Sequence, residues 1–150
     1  MSLSNNIKES NPKDRIGVTK VPFSVIPSQV MAEVGVAMLE GGFKYGVSNY
    51  RDAGVRATVY YDATLRHLTS WLEGEDIDPD SGLSHITKAI TSLIVLRDGM
   101  KNDLWVDDRP IKVSNPNWMQ ELNQKVKALI EKYPDPKEPF TQKRKEQGEL

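Results

Sequence analysis

Cysteine is absent from the 150-residue chain, and histidine occurs only at His67 and His85. The first absence excludes disulfide scaffolds, zinc knuckles and thiol nucleophiles. The second excludes a histidine-rich metal site, so any bound metal must be held mainly by oxygen. Charge of one sign is lacking too, with 20 Lys+Arg against 21 Asp+Glu and a formal net charge of −1. Sequence-independent binding to polymeric nucleic acid needs an excess of cations to displace counterions, so that class is disfavoured. Apolar runs such as Leu93–Leu96 fall far short of the roughly 20 residues of a membrane span. The polar start MSLSNNIKES does not read as a signal peptide. A soluble cytoplasmic protein without a membrane partner is the expectation.

What is present sorts into three stretches. Residues 1–20 hold few apolar groups, and residues 133–150 carry Pro134, Pro136 and Pro139 before the charged run QKRKEQGEL. Neither can bury enough surface to offset its ordering entropy, so both are expected to be flexible. The folded domain is placed at 21–132, with no internal repeat and no low-complexity tract.

Four segments in that domain have helical periodicity. Ser28 after Pro27 reads as a cap, Val30, Val34 and Met38 recur at fourfold spacing, and Gly41-Gly42 reads as a stop, giving a helix over 28–40. A second helix over 52–72 places Tyr61, Leu65, Leu68 and Leu72 in one stripe, which is expected to face the core, with Gly74 just beyond its end. The third, over 83–98, has an apolar arc too wide for a surface helix and is expected to be the central one. The fourth begins at Asn115-Pro116 and lines up Trp118, Leu122, Val126, Leu129 and Ile130. Residues 101–113 read as a loop. The predicted class is all-α, a small helical bundle of about four helices, and the surplus of apolar surface predicts completion by a second copy.

The densest chemical feature is the turn LEGEDIDPDSGLSH, where Glu73, Glu75, Asp76, Asp78 and Asp80 crowd together with no Lys or Arg. A divalent cation with oxygen ligands relieves such repulsion; the alternative is a solvated acidic loop. It is not an EF-hand, since Ser81 stands where the loop needs glycine and Thr87 where it needs a bidentate glutamate. On one flank of the second helix stand Tyr60, Thr64, His67 and Trp71, either a wall for a planar ligand or an edge of the core. Asp62, Arg66, Thr69 and Glu73 occupy the other flank, as a metal ligand and phosphate contact or as an ordinary surface pair. Upstream, GGFKYGVSNYRD interleaves Gly41, Gly42 and Gly46 with Lys44, Asn49 and Arg51, suited to a polyphosphate or simply to a helix–helix turn. It lacks the Gly-Lys-Ser/Thr ending of a P-loop.

The blocks K-Y-G-x-x-N, R-H-x-x-x-W and G-E-x-x-D-x-x-S-G-x-x-H, in this order and followed by an apolar helix, resemble the phage and bacterial dATP/dGTP diphosphohydrolase family, a MazG-like branch of all-α nucleoside triphosphate pyrophosphohydrolases. The resemblance spans about 27–100. It implies cleavage of dGTP or dATP between the α and β phosphates, Mg²⁺ or Mn²⁺ as cofactor, a homo-oligomer (dimer or tetramer), and the cytoplasm of a bacterium or a phage-infected bacterium. Carried over by position, it assigns Glu75 and Asp78 to catalysis and metal binding, with Asp62 and His85 as further metal candidates and Glu73 or Asp76 as additions. Lys44, Tyr45, Asn49, Arg66, His67 and Trp71 would meet the substrate. The wider superfamily pairs E-x-x-E on one helix with E-x-x-D on the next; here only Glu75-x-x-Asp78 has the second form, and it sits at a turn. Water would be the nucleophile, in keeping with the missing cysteine. The competing readings are an inert nucleotide-binding or sensor module and a helical interaction protein.

Overall fold

A computed structural model describes residues 11–150; the part of the flexible-segment expectation that falls on 1–10 lies outside the described residues. The chain divides into two compact units, one ending at Arg109 and the other spanning Pro110–Leu150. Helices dominate both, as the sequence predicts.

The first unit opens with α1 (Pro12–Gly17), where the Asn11 side chain caps by accepting from Lys13 N–H at 3.0 Å, and a 3₁₀ turn at Phe23–Val25. The main helices follow: α2 (Ser28–Tyr45), the single turn α3 (Tyr50–Ala53), α4 (Ala57–Leu72) and α5 (His85–Lys101). The sequence places the end of α2 at Gly41-Gly42, but the helix continues one more turn, to Gly46 at φ 95°. A glycine stops a helix by leaving the right-handed basin, and Gly46 is the one that does so here. The predicted second helix is likewise interrupted. Gly54 at φ 75° separates α3 from a two-residue strand β1 (Val55–Arg56), which pairs parallel with β2 (Trp105–Val106) inside the stretch read as a loop. The signal of two residues per strand is too short to register as alternation.

Long-range contacts fix the start of α4 and tie α3 to α5. Asp108 accepts from the backbone N–H of Thr58 at 2.9 Å and from its hydroxyl, supplying the N-terminal cap that no neighbouring residue gives. These bonds hold the Asp108 carboxyl below the usual carboxylate range. A two-pronged Arg51–Asp98 pair, 2.8 Å on each prong, ties α3 to α5. Helices α4 and α5 run antiparallel, with Val55 near Gly99 at one end and His67 against His85 at the other. α5 is central, as expected, since both α2 and α4 pack on it.

The helices meet through small residues. Among the described residues the buried set is Ala37, Val55, Ala57, Ala89, Val95 and Gly99 with Thr64, Thr87 and His85. Tyr61, Leu65, Leu68 and Leu72, expected as core, are instead 37–75% exposed. Close approach through Ala57 and Thr64 turns this larger stripe outward, and Leu93 and Ile94 of α5 are exposed as well.

The second unit holds α6 (Trp118–Lys132) and α7 (Gln142–Glu146). The Asn115 carboxamide accepts from Asn117 N–H at 3.0 Å, so α6 starts two residues past Pro116. Its apolar stripe from Trp118 to Ile130 is exposed. Thr141 caps α7, a single turn within the tail expected to be flexible. Among the described residues, no helix is long and apolar enough to cross a membrane.

Candidate active site

The turn between α4 and α5 is built by its aspartates and glycines. Gly74, at φ 99°, ends α4, and Ile77 bridges Ser84 in antiparallel sense. Asp78 organises the bend: its N–H donates to Leu83 O at 2.8 Å, and its carboxylate accepts from Ser81 Oγ at 2.7 Å and Asp80 N–H at 3.2 Å. Burial pushes the Asp78 carboxyl up, but these donors outweigh it and leave it below the usual range. Ser84 then caps α5 by accepting from the N–H groups of Ile86 and Thr87.

This turn delivers Glu75 to His85. His85 is buried, with Nε2 2.6 Å from Glu75 Oε1 and Nδ1 2.9 Å from Nδ1 of His67 on α4. With both rings neutral, the chain of contacts fixes the tautomers. A carboxylate only accepts, so His85 donates from Nε2; its Nδ1 then accepts from Nδ1–H of His67, and Nε2 of His67 is left as a lone-pair acceptor. Burial lowers the His67 pKa, with Asp78 opposing and His85, Lys88 and Arg66 reinforcing, so the ring stays neutral to lower pH than an ordinary histidine.

The unfolded chain therefore binds a proton more readily at this ring than the folded one. Stability contributed by neutral His67 is complete above the ordinary histidine value of about 6.5 and is lost as pH falls from there through the lowered native value. Thermal melts at pH 7.5 and 5.5 are expected to show a larger drop in Tm for the parent than for His67→Gln; equal drops would take the effect away from His67.

Beside the histidines, Glu40 of α2 bridges two lysines. Lys44 Nζ lies 2.6 Å from Glu40 Oε1 and 3.3 Å from Asp80, while Lys88 of α5 pairs with the other Glu40 oxygen. The two ammonium groups hold Glu40 below its usual range, and Lys44 is held protonated. Lys88 also lines a cavity of about 410 Å³ between α2, α5 and Tyr60, whose walls include Tyr45, Asn49 and Tyr50.

Several residues singled out from sequence thus come together: Glu75, His85 and His67 in one chain of contacts, Asp78 in the same turn, Lys44 on Asp80, and Tyr45 and Asn49 at the cavity. Asp62 and Arg66 do not join them; they line a separate shallow depression with Thr69. Trp71 is 45% exposed. The sequence reading missed Glu33, which accepts from the Thr87 hydroxyl at 2.8 Å, as well as Glu40 and Lys88. Lys88 left no signal of its own, because helical geometry sets it opposite the apolar arc among Ser84, Thr91 and Ser92.

The donor set suits a hard cation that arrives with its phosphates. Among the described residues no three His, Asp or Glu groups converge at ligating spacing. Mg²⁺ usually takes one or two carboxylates together with substrate phosphates and waters rather than a protein cage. Glu75 Oε2, on a half-exposed side chain, and the second lone pairs of Asp78 are carboxylate oxygens of that chemical type.

A family described as dATP/dGTP diphosphohydrolase, N-terminal, matches residues 10–109, ending where the first compact unit ends. A dATP/dGTP diphosphohydrolase of Salmonella phage PMBT28 is 30% identical over 90 residues, covering 60% of this chain and 30% of that protein's length. No solved structure matches.

Proposed function

The chain belongs to the family of dATP/dGTP diphosphohydrolase N-terminal regions, and from that membership we propose that it hydrolyses a purine deoxynucleoside triphosphate between the α and β phosphates, giving the monophosphate and pyrophosphate. The observation that carries the reaction is the Glu75–His85–His67 chain ending in a lone pair at His67 Nε2, next to a lysine pair that shares one carboxylate.

Each group has a task. Lys44 and Lys88 exchange contacts with Glu40 for contacts with phosphate oxygens, which are stronger anions. Glu75 orients His85, and His85 fixes the tautomer of His67. A water molecule beside His67 Nε2 donates its proton there as it attacks the α-phosphorus, so the imidazole acts as general base at neutral pH. Glu75 and Asp78 would hold Mg²⁺ or Mn²⁺; when bound, the ion supplies neutralisation of phosphate charge and a more acidic water.

A homo-oligomer belongs to the same proposal. The exposed stripe of α4 and the exposed Leu93 and Ile94 of α5 form apolar surface that a second copy would cover. Light scattering that returned the monomer mass would remove this part.

The reaction is tested with the eight common ribo- and deoxyribonucleoside triphosphates, each assayed with Mg²⁺ and with Mn²⁺ for pyrophosphate. Pyrophosphate from dGTP or dATP is expected. Release of single phosphate would overturn the reaction class, and binding without turnover would leave an inert nucleotide-binding module.

A further inference from the structure

The cavity beside the lysines has features that the hydrolytic groups do not use. Three tyrosines, Tyr45, Tyr50 and Tyr60, stand on its wall, and the Tyr60 phenol is pushed up by burial and by the other two rings. Its volume of about 410 Å³ lies within the range of roughly 300–1,000 Å³ typical of small-molecule sites. The Asn49 carboxamide, also on the wall, has no hydrogen-bond partner among the described residues, so it offers a donor and an acceptor together.

The glycines of α2 on this wall divide into two kinds. A Cβ at Gly42 would meet Val47 Cγ2 at 2.8 Å, so the chain itself requires glycine there. At Gly35 and Gly41, which line the same cavity, an added Cβ would meet nothing within 4 Å. Glycine inside a helix is destabilising relative to alanine. Gly41 also lines the cavity, so the open space beside its backbone is room that a flat ligand can occupy.

We propose that this cavity seats the purine base of the substrate, stacked among Tyr45, Tyr50 and Tyr60 against the bare backbone of Gly41, with Asn49 at the base edge. The seat rests on the nucleotide reading above and adds where the base binds. Aromatic faces accept any base by stacking, and selection among bases falls to polar groups at the rim. Lys88, shared by the cavity wall and the Glu40 cluster, marks where the phosphates leave the seat. Tyr60 and His67 are seven residues apart on α4, about 10 Å at 1.5 Å per residue, which leaves room for a sugar between base and reacting phosphorus.

Calorimetric titration of the full chain with deoxyguanosine and deoxyadenosine monophosphates tests this directly. The wild type is expected to bind at least one, and Gly41→Leu, which narrows the cavity, is expected to weaken that binding at least about tenfold. Gly41→Ala is expected to raise Tm by a few degrees. If Gly41→Leu does not fold, Gly35→Leu on the same wall replaces it. No monophosphate binding by the wild type, or equal binding by the narrowed variant, overturns the seat. Pyrophosphate release with unchanged KM in Gly41→Leu also overturns the seat and leaves the reaction standing. Monophosphate binding lost in that variant, with no turnover by the wild type, supports the seat and removes the reaction.

Discussion

Glu75→Gln is expected to lower metal-dependent pyrophosphate release by about 10³-fold while the protein melts within a few degrees of the parent. The substitution separates two roles of one carboxylate. Its Oε1 accepts from His85 at 2.6 Å, and a glutamine carbonyl of the same size can accept there too, so the turn is kept. The side chain is about half exposed, and substitutions at such positions usually change stability by no more than about 0.5 kcal/mol. The negative charge is what disappears. Without it the histidine pair loses the anion that would balance the proton taken up at His67 Nε2, and an NH₂ group stands where Oε2 would meet a divalent cation. Circular dichroism melts and a pyrophosphate assay across a Mn²⁺ titration check both halves. Activity near the parent's level would exclude Glu75 from the site, and collapse of the fold would mean that the 2.6 Å contact is structural.

The contrast between Glu75 and Lys88 shows which parts of the site were open to sequence reading. Glu75, Asp78 and His85 lie within one turn, so their spacing alone brings them together, and the opposite flanks of α4 separate His67 from Asp62 and Arg66 by helical geometry. Lys88 meets Glu40, and Thr87 meets Glu33, only after α2 docks on α5, a contact between segments about 50 residues apart that no local pattern encodes. The fold divides in the same way. Periodicity located the principal helices, but the Asp108 cap on Thr58 and the pairing of β1 with β2 depend on residues distant in sequence. The tyrosine cavity was visible in pieces: Gly41, Tyr45, Asn49 and Tyr50 stand in the block GGFKYGVSNYRD and Tyr60 was read as a wall for a planar ligand, whereas their meeting around one space depends on how α2 docks on α5.

Glycine is where local reading fails most plainly, and Gly99→Ala is expected to act opposite to Gly41→Ala. A Cβ at Gly99 would stand 2.7 Å from Val55 Cγ2 and 3.1 Å from the Leu104 carbonyl. Neither neighbour is free to yield. Leu104 N–H donates to Gly99 O at 2.8 Å and Leu104 O accepts from Val55 N–H at 3.0 Å, so the carbonyl is held by backbone hydrogen bonds, while Val55 Cγ2 belongs to a buried side chain. Overpacking of this kind costs about 1–3 kcal/mol, which for a unit of about 100 residues is a fall in Tm on the order of 10 °C. The damage should reach the site, because Val55–Arg56 leads directly into α4, and any shift of α4 along α5 lengthens the 2.9 Å contact between His67 and His85. Differential scanning calorimetry of the two variants side by side decides the matter. Gly99→Ala should melt lower with reduced turnover, Gly41→Ala higher; a Tm for Gly99→Ala at or above the parent's would show that β1 and the Leu104 turn can move aside without loss.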